Sequence, residues 1–310
     1  MEFKKKTLET QIIEIFQKIS PAITRLIQGT MDNDKIVLNL GKTKSKNKNE
    51  ININPSILVN SVSDSDLEFK EVVIGTVIHE AIHSMEDYIF DIDKDLSKFQ
   101  DETDGLNDID EVLEVLSGPF GKYIFEILVH SFEEYKFVKD FKGLRSILQD
   151  IYEESSINIK NLKPFNKFLI LMFHSIAGYI EIDLQSYPKN IKESVRETLA
   201  ILNNFSYDRD LVEDTIEITV QIADICRRYN LLPDVDSQTL GERRESIEKF
   251  EDSVIDDLNK VLIPSSTNIT TGNTLEKFLG KKGKESDDEK LNFMDDHVSK
   301  IGTSTTVYLP

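Results

Sequence analysis

The pattern His79-Glu80-Ala81-Ile82-His83 is the clearest indication of chemistry in this chain of 310 residues. In a helix, with about 100° of rotation per residue, the two histidines point only about 40° apart and lie one turn from each other. Their imidazoles can therefore bind one metal ion. Glu80 lies on the adjoining face, where it can act as a general base toward a water molecule. The spacing thus predicts a zinc site of the hydrolytic type.

The segment that must position this pattern, residues 67–90, is apolar on almost every side, as expected of a buried helix. Imidazoles and carboxylates are unfavourable to bury unless they are hydrogen-bonded or bound to a metal ion. The setting therefore favours metal binding by His79 and His83. Core histidines that satisfy their hydrogen bonds within the protein are the alternative interpretation.

A third metal ligand must come from another segment, because a catalytic zinc usually combines three protein ligands with one open position. Residues 124–138 form a second apolar helical pattern, in which Glu126, His130 and Glu133 share one side. We expect Glu133 to be the third ligand, with His130 or Glu134 as alternatives. Glu126 is a candidate acceptor for the N–H of a ligand imidazole. A solvent-facing acidic stripe is the competing interpretation.

The remaining candidates rank lower. Asp87 follows His83 by one helical turn and could bind the metal or hydrogen-bond to a ligand, but three ligands on successive turns of a straight helix diverge from a single ion. It therefore ranks below Glu133. His174 lies alone in an apolar stretch and is interpreted as a core residue whose hydrogen bonds are satisfied within the protein. His297 lies near the end of the chain, where we expect solvent exposure.

The composition restricts both chemistry and partners. The chain has 37 basic and 56 acidic residues, a formal net charge of −19 and a pI of about 4.7. Such a field repels phosphate backbones and anionic lipid surfaces, so neither nucleic acid nor a membrane is expected as a partner. Cys226 is the single cysteine, so any metal site must use histidine and carboxylate ligands. The longest apolar run, residues 168–177, is too short to span a membrane.

The hydrophobic pattern predicts a mainly helical α+β protein. A helical period covers residues 8–28, although Pro21 could kink or break that helix. Two β-type runs, at 35–40 and 50–54, flank a polar connector and predict a small antiparallel hairpin. Residues 91–110 are acidic and poor in apolar side chains, which favours a loop or a lid. Later helices are predicted at 118–140, 144–154, 164–184, 191–202 and 208–232, followed by a charged surface helix at 235–263.

Three segments together resemble the zincin-type metallopeptidases of bacteria and phages, which are often associated with von Willebrand A domains. They are Ile51-Asn-Ile-Asn-Pro-Ser56, Val77-Ile-His-Glu-Ala-Ile-His83 and Leu128-Val-His-Ser-Phe-Glu-Glu-Tyr-Lys136. In those proteins a strand ending in Asn-Pro precedes the helix with the His-Glu-x-x-His pattern. A later helix carries a Glu-Asp pair with a basic residue two positions on. The resemblance covers residues 35–140.

The resemblance implies zinc as cofactor, His79, His83 and Glu133 as its ligands, and Glu80 as general base. Two departures accompany it. Glu134 stands where the similar proteins have Asp, and nothing after residue 232 resembles a von Willebrand A domain.

The function expected from these patterns is a zinc-dependent metallopeptidase acting on a peptide or protein substrate. His130 or Tyr135 could donate a hydrogen bond to the oxyanion formed during hydrolysis. The alternative is a catalytically inactive zinc-binding structural or interaction protein, such as a phage component. An intact Glu80 favours catalysis, because a structural zinc site gains nothing from a base beside an open metal position.

Three regions are expected along the chain. Residues 1–140 would form the zincin-like metallopeptidase core, residues 141–263 a helical extension packed on it, and residues 264–310 a weakly ordered acidic and polar tail. The C-terminal helices or the tail could bind an assembly partner. Without a convincing secretion signal at the N-terminus, the expected location is the cytoplasm, or the virion if the chain is phage-encoded.

Overall fold

The computed structural model of the chain describes residues 7–41, 49–63, 65, 67–83, 99, 103, 106, 108–156, 159–203, 212–233 and 240–261. They fall into two compact units, at 7–83 and 99–261. Ten α-helices and two strands make up most of the described residues, which confirms the mainly helical class.

The first unit contains three helices and both strands. The helices are α1 (Leu8–Met31), α2 (Pro55–Ser63) and α3 (Phe69–His83), and the strands are β1 (Val37–Leu40) and β2 (Glu50–Ile53). Thr7 caps α1, its side chain accepting a hydrogen bond from the backbone N–H of Thr10. This helix continues through Pro21 without a break. Both α1 and α2 pack against α3, which also contacts β2, so α3 lies at the centre of this unit.

The two strands pair in parallel, and the expectation of an antiparallel hairpin was wrong. Leu38 pairs with Ile51, and Leu40 pairs with Ile53. Alternation along β2 follows the prediction, because Ile51 and Ile53 are buried while Asn52 between them is half-buried.

The side chains alone do not explain the parallel direction. The observed register places Leu38 and Leu40 beside Ile51 and Ile53, but it also places Val37 beside the charged Glu50. The alternation of apolar and polar residues is the same in both arrangements, so the pattern alone does not determine strand direction. Residues 42–48 lie outside the described part of the chain.

The second unit consists of seven described α-helices. They are α4 (Ile109–Ser117), α5 (Gly121–Asp140), α6 (Lys142–Ser156), α7 (Pro164–Ala177), α8 (Lys189–Leu202), α9 (Val212–Arg228) and α10 (Leu240–Val261). Six of these helices agree with the predicted ones to within about five residues at their starts, but α7 ends at Ala177 rather than at residue 184. Gly178 follows it in a left-handed conformation, with φ of 73°, which terminates the helix. No helix was predicted at the position of α4, whose first residues fall in the segment that was expected to be a loop.

The core of the second unit is built around α5 and α7. Helix α5 packs against α7, α9, α4 and α6, and α7 also contacts α8 and α10. Residues 168–174 of α7 are buried at every position, and so are residues 123–134 of α5. Two helices that are buried on all sides must satisfy their polar side chains within the protein. The polar residues of α5 are therefore the place to look for function.

Several sequence predictions concern residues outside the described ranges. These are Asp87, most of the loop predicted at 91–110, and His297 with the tail predicted at 264–310. The last two residues of the predicted loop, Ile109 and Asp110, are instead the first residues of α4. No helix in the described part of the chain combines the length and the apolar character needed to cross a membrane.

Candidate metal centre

The His-Glu-x-x-His pattern lies on a buried helix, as predicted, and forms the last five residues of α3. His79 and Glu80 both have 0% of their surface exposed, and Thr76, one turn earlier, is equally buried. Helix α3 is buried because α1 and α2 cover it and apolar residues line both of its sides. The backbone of His83 belongs to the helix, one turn beyond His79, while its side chain lies outside the described residues.

Helix α5 carries the second group of predicted residues, and all of them are buried except Tyr135. Glu133 and Glu134 are 1% and 0% exposed, and Glu126 and His130 are both 8% exposed. Tyr135 is half-buried. The competing interpretation of this face as a solvent-facing acidic stripe is therefore wrong. Carboxylates buried this deeply are unfavourable unless hydrogen bonds or a cation accompany them.

Glu134 has the best-defined surroundings of these carboxylates. The hydroxyl of Tyr152, on α6, donates a hydrogen bond to Oε1 of Glu134 over 2.7 Å. The Nε2 atom of His130, one turn before Glu134 on α5, lies 3.2 Å from the same oxygen. Burial, and then the charge of Glu134, raise the pKa of Tyr152 well above its ordinary value. The phenol therefore keeps its proton at neutral pH and acts as the donor.

Aromatic rings surround this cluster. The ring of Tyr152 stacks on that of Tyr179, with centroids 4.9 Å apart and planes at 27°. Phe173, on α7, contacts both Tyr152 and His130 with centroids 5.2 Å away. Burial and the charge of Glu134 also raise the pKa of Tyr179. Apolar walls of this kind strengthen every electrostatic interaction inside them.

His174 is buried in the core, as predicted, but hydrogen bonds from the described residues do not satisfy its ring nitrogens, and its environment keeps it neutral. The side chain is fully buried and contacts the rings of Phe173 and Tyr152 edge-on. Within the described part of the chain, neither ring nitrogen has a hydrogen-bond partner. Burial lowers the pKa of His174 to about 4, and the charge of Glu134 opposes that shift only in part.

His79 on α3 and His130 and Glu134 on α5 each offer one nitrogen or oxygen atom that could bind a metal ion. Glu133, buried one position before Glu134, points about 100° away from it around the helix.

The chain matches no family model, no curated protein and no solved structure. The likeness to zincin-type metallopeptidases therefore stays a prediction carried by its motifs.

Tyr152 and Tyr179 are the site residues that the sequence analysis missed. Tyr152 falls on the apolar face of α6, one turn after the buried Leu148. A tyrosine at such a position needs a buried hydrogen-bond partner for its hydroxyl. The sequence therefore indicated that Tyr152 has a polar partner. The identity of that partner depends on tertiary packing.

The low pKa of His174 predicts a specific pH dependence of stability. The unfolded chain, with a histidine pKa near 6.5, takes up a proton at this position before the folded chain does. The free energy of unfolding should therefore fall as the pH drops from about 6.5 to 4, by up to about 3 kcal/mol from this residue. Urea unfolding across this range measures the slope.

Two variants are compared with the wild-type protein. His174→Leu should reduce the change in the free energy of unfolding per pH unit by the contribution of about one proton, and His297→Leu should leave it unchanged. An unchanged slope in His174→Leu would contradict the neutral, buried state of this imidazole.

Proposed function

We propose that this protein is a zinc-dependent peptide hydrolase whose metal is held by His79 and His83 of α3 together with a carboxylate of α5. The observation that supports it most is the complete His-Glu-x-x-His pattern on one buried helix, with His79 and Glu80 fully buried. Two such residues are hard to account for as packing, because leucine or valine would fill the space without a desolvation penalty.

The available side chains fit zinc. Imidazole nitrogen and carboxylate oxygen are ligands that zinc accepts, and two histidines with one glutamate form a known catalytic combination. Burial of His79 and Glu134 suits a cation, since a bound ion offsets the penalty of desolvating a carboxylate.

For the third ligand we favour Glu134, which the sequence analysis gave as an alternative to Glu133. Glu134 shares its face of α5 with His130, and a hydroxyl from α6 already holds one of its oxygens. An oriented carboxylate is better prepared to bind a metal than one that must be ordered on binding. Glu133 stays a candidate because it is buried on the same helix.

The chemistry is divided among the residues as follows. Zinc, when bound, supplies Lewis acidity and brings the pKa of a water molecule close to neutrality. Glu80 takes the proton from the attacking water and passes it to the leaving amine nitrogen. His130 donates a hydrogen bond to the oxyanion and is better suited than the half-buried Tyr135, because a donor in a water-excluded site is worth more.

Zinc binding is the first expectation to test. Metal analysis of the purified protein should give about one equivalent of zinc per chain. A double variant, His79→Ala with His83→Ala, should lose it, while His297→Ala should retain it. Circular dichroism on all three proteins checks that the helices are intact. Full zinc content in a folded double variant would refute the proposed ligands.

The identity of the third ligand is tested by comparing neighbouring carboxylates. Glu134→Gln should weaken zinc binding by more than the roughly ten- to hundredfold lost when a ligand's hydrogen-bond partner is removed. Glu133→Gln should have the smaller effect, measured by competition with a chromophoric chelator. The opposite order would establish Glu133, the residue that the sequence favours.

The role of Glu80 distinguishes an enzyme from an inactive zinc protein. Glu80→Gln should retain zinc and its melting temperature but lose hydrolysis by roughly 10²- to 10⁴-fold, because a positioned base contributes that much. Cleavage of an unstructured protein under zinc-replete conditions measures the rate. Glu71→Gln, an exposed position on the same helix, is the matched control and should stay active.

Two results would contradict the hydrolase. If Glu80→Gln lowers stability but leaves cleavage intact, Glu80 is structural. If the wild-type protein binds zinc yet cleaves no peptide, the zinc-binding structural or interaction protein replaces the hydrolase.

A further inference from the structure

The hydrogen bond between Tyr152 and Glu134 joins two helices through a fully buried pair. Both side chains have 0% of their surface exposed, and 18 positions separate them along the chain. Bulk water does not compete for a hydrogen bond at this depth, so the packing around the pair holds its geometry. The stacked ring of Tyr179 and the ring of Phe173 restrict the direction in which the Tyr152 hydroxyl points.

A donor on one oxygen of a carboxylate fixes the plane of the whole group. With Oε1 of Glu134 held by Tyr152, the rotation of the carboxylate about its last bond is restricted, and the lone pairs of Oε2 take a defined direction. Groups that orient a metal ligand in this way typically contribute ten- to hundredfold in metal affinity.

The chemical type of the donor is informative as well. The Tyr152 hydroxyl is an uncharged donor, so its hydrogen bond orients the carboxylate without cancelling the negative charge that a cation binds. His130 Nε2 lies 3.2 Å from the same oxygen, so two groups restrict Oε1.

We propose that Tyr152 is a positioning residue that orients Glu134 as a metal ligand, an inference that rests on the proposed zinc site. Tyr152 does not touch the metal or the substrate. It acts through Glu134 alone, so the energetic coupling between these two residues is the property to measure.

The test is a double-mutant cycle on zinc affinity, using zinc itself as the probe and a chromophoric chelator as the competitor. Tyr152→Phe should weaken zinc binding by roughly ten- to hundredfold in the wild-type background. In the Glu134→Gln background the same change should have almost no further effect. The absorption spectrum of bound Co²⁺ should shift in Tyr152→Phe, which a merely structural role would not produce.

The matched control is Tyr123→Phe, which removes another buried tyrosine hydroxyl from the same unit. Tyr123 lies on α5 and hydrogen-bonds to Glu251, away from Glu134 along the helix. Its loss should lower the melting temperature of the apo-protein but leave zinc affinity and the Co²⁺ spectrum unchanged.

A conservative replacement covers the case in which Tyr152→Phe does not fold. With 4-aminophenylalanine at position 152, the ring and a weaker N–H donor are retained, and the zinc affinity should be at least partly restored. Unchanged zinc affinity in folded Tyr152→Phe, or equal losses in both backgrounds, would overturn the inference while leaving the zinc site in place. If the wild-type protein binds no zinc, the proposed function is overturned, and the inference about Tyr152 falls with it.

Discussion

The burial of the Glu134 carboxylate is the constraint on which the second unit depends. A desolvated carboxylate is tolerated only with hydrogen bonds or a cation nearby, and here the hydroxyl of Tyr152 supplies a donor from a second helix. That requirement fixes how α5 and α6 approach each other, since a displacement of either helix by an ångström would break a bond 2.7 Å long. Apolar packing alone would tolerate several relative positions of the two helices, whereas the hydrogen-bonded pair selects one of these positions.

Aromatic rings line the surroundings of this carboxylate and its two partners. Phe173 and Tyr179 exclude water from the cluster, which strengthens the interactions of Glu134 with Tyr152 and His130. The exclusion has a consequence for His174 on α7, whose imidazole stays neutral although a negative charge lies close by. Desolvation therefore outweighs Coulomb attraction at this position, which indicates how dry the interior of this unit is.

The sequence predicted local features and failed on features that depend on distant partners. The period of 3.6 residues predicted most of the helices, though not the nine-residue helices α2 and α4, and the spacing of His79 and His83 predicted the motif. Strand direction was wrong, since Leu38 and Leu40 have the same alternation in a parallel and an antiparallel pair. Tyr152 was missed for a related reason: its bond to Glu134 joins segments that only the tertiary fold brings together.

The side-chain length at position 134 suits the position of the Tyr152 hydroxyl. Aspartate is shorter than glutamate by one carbon–carbon bond, about 1.5 Å. From the same backbone position, an aspartate would end short of the Tyr152 hydroxyl, which lies 2.7 Å from Oε1 of the glutamate. The longer side chain and the tyrosine are therefore matched to each other. An aspartate here would require α6 to approach α5 more closely or a smaller donor than tyrosine, so positions 134 and 152 are expected to change together.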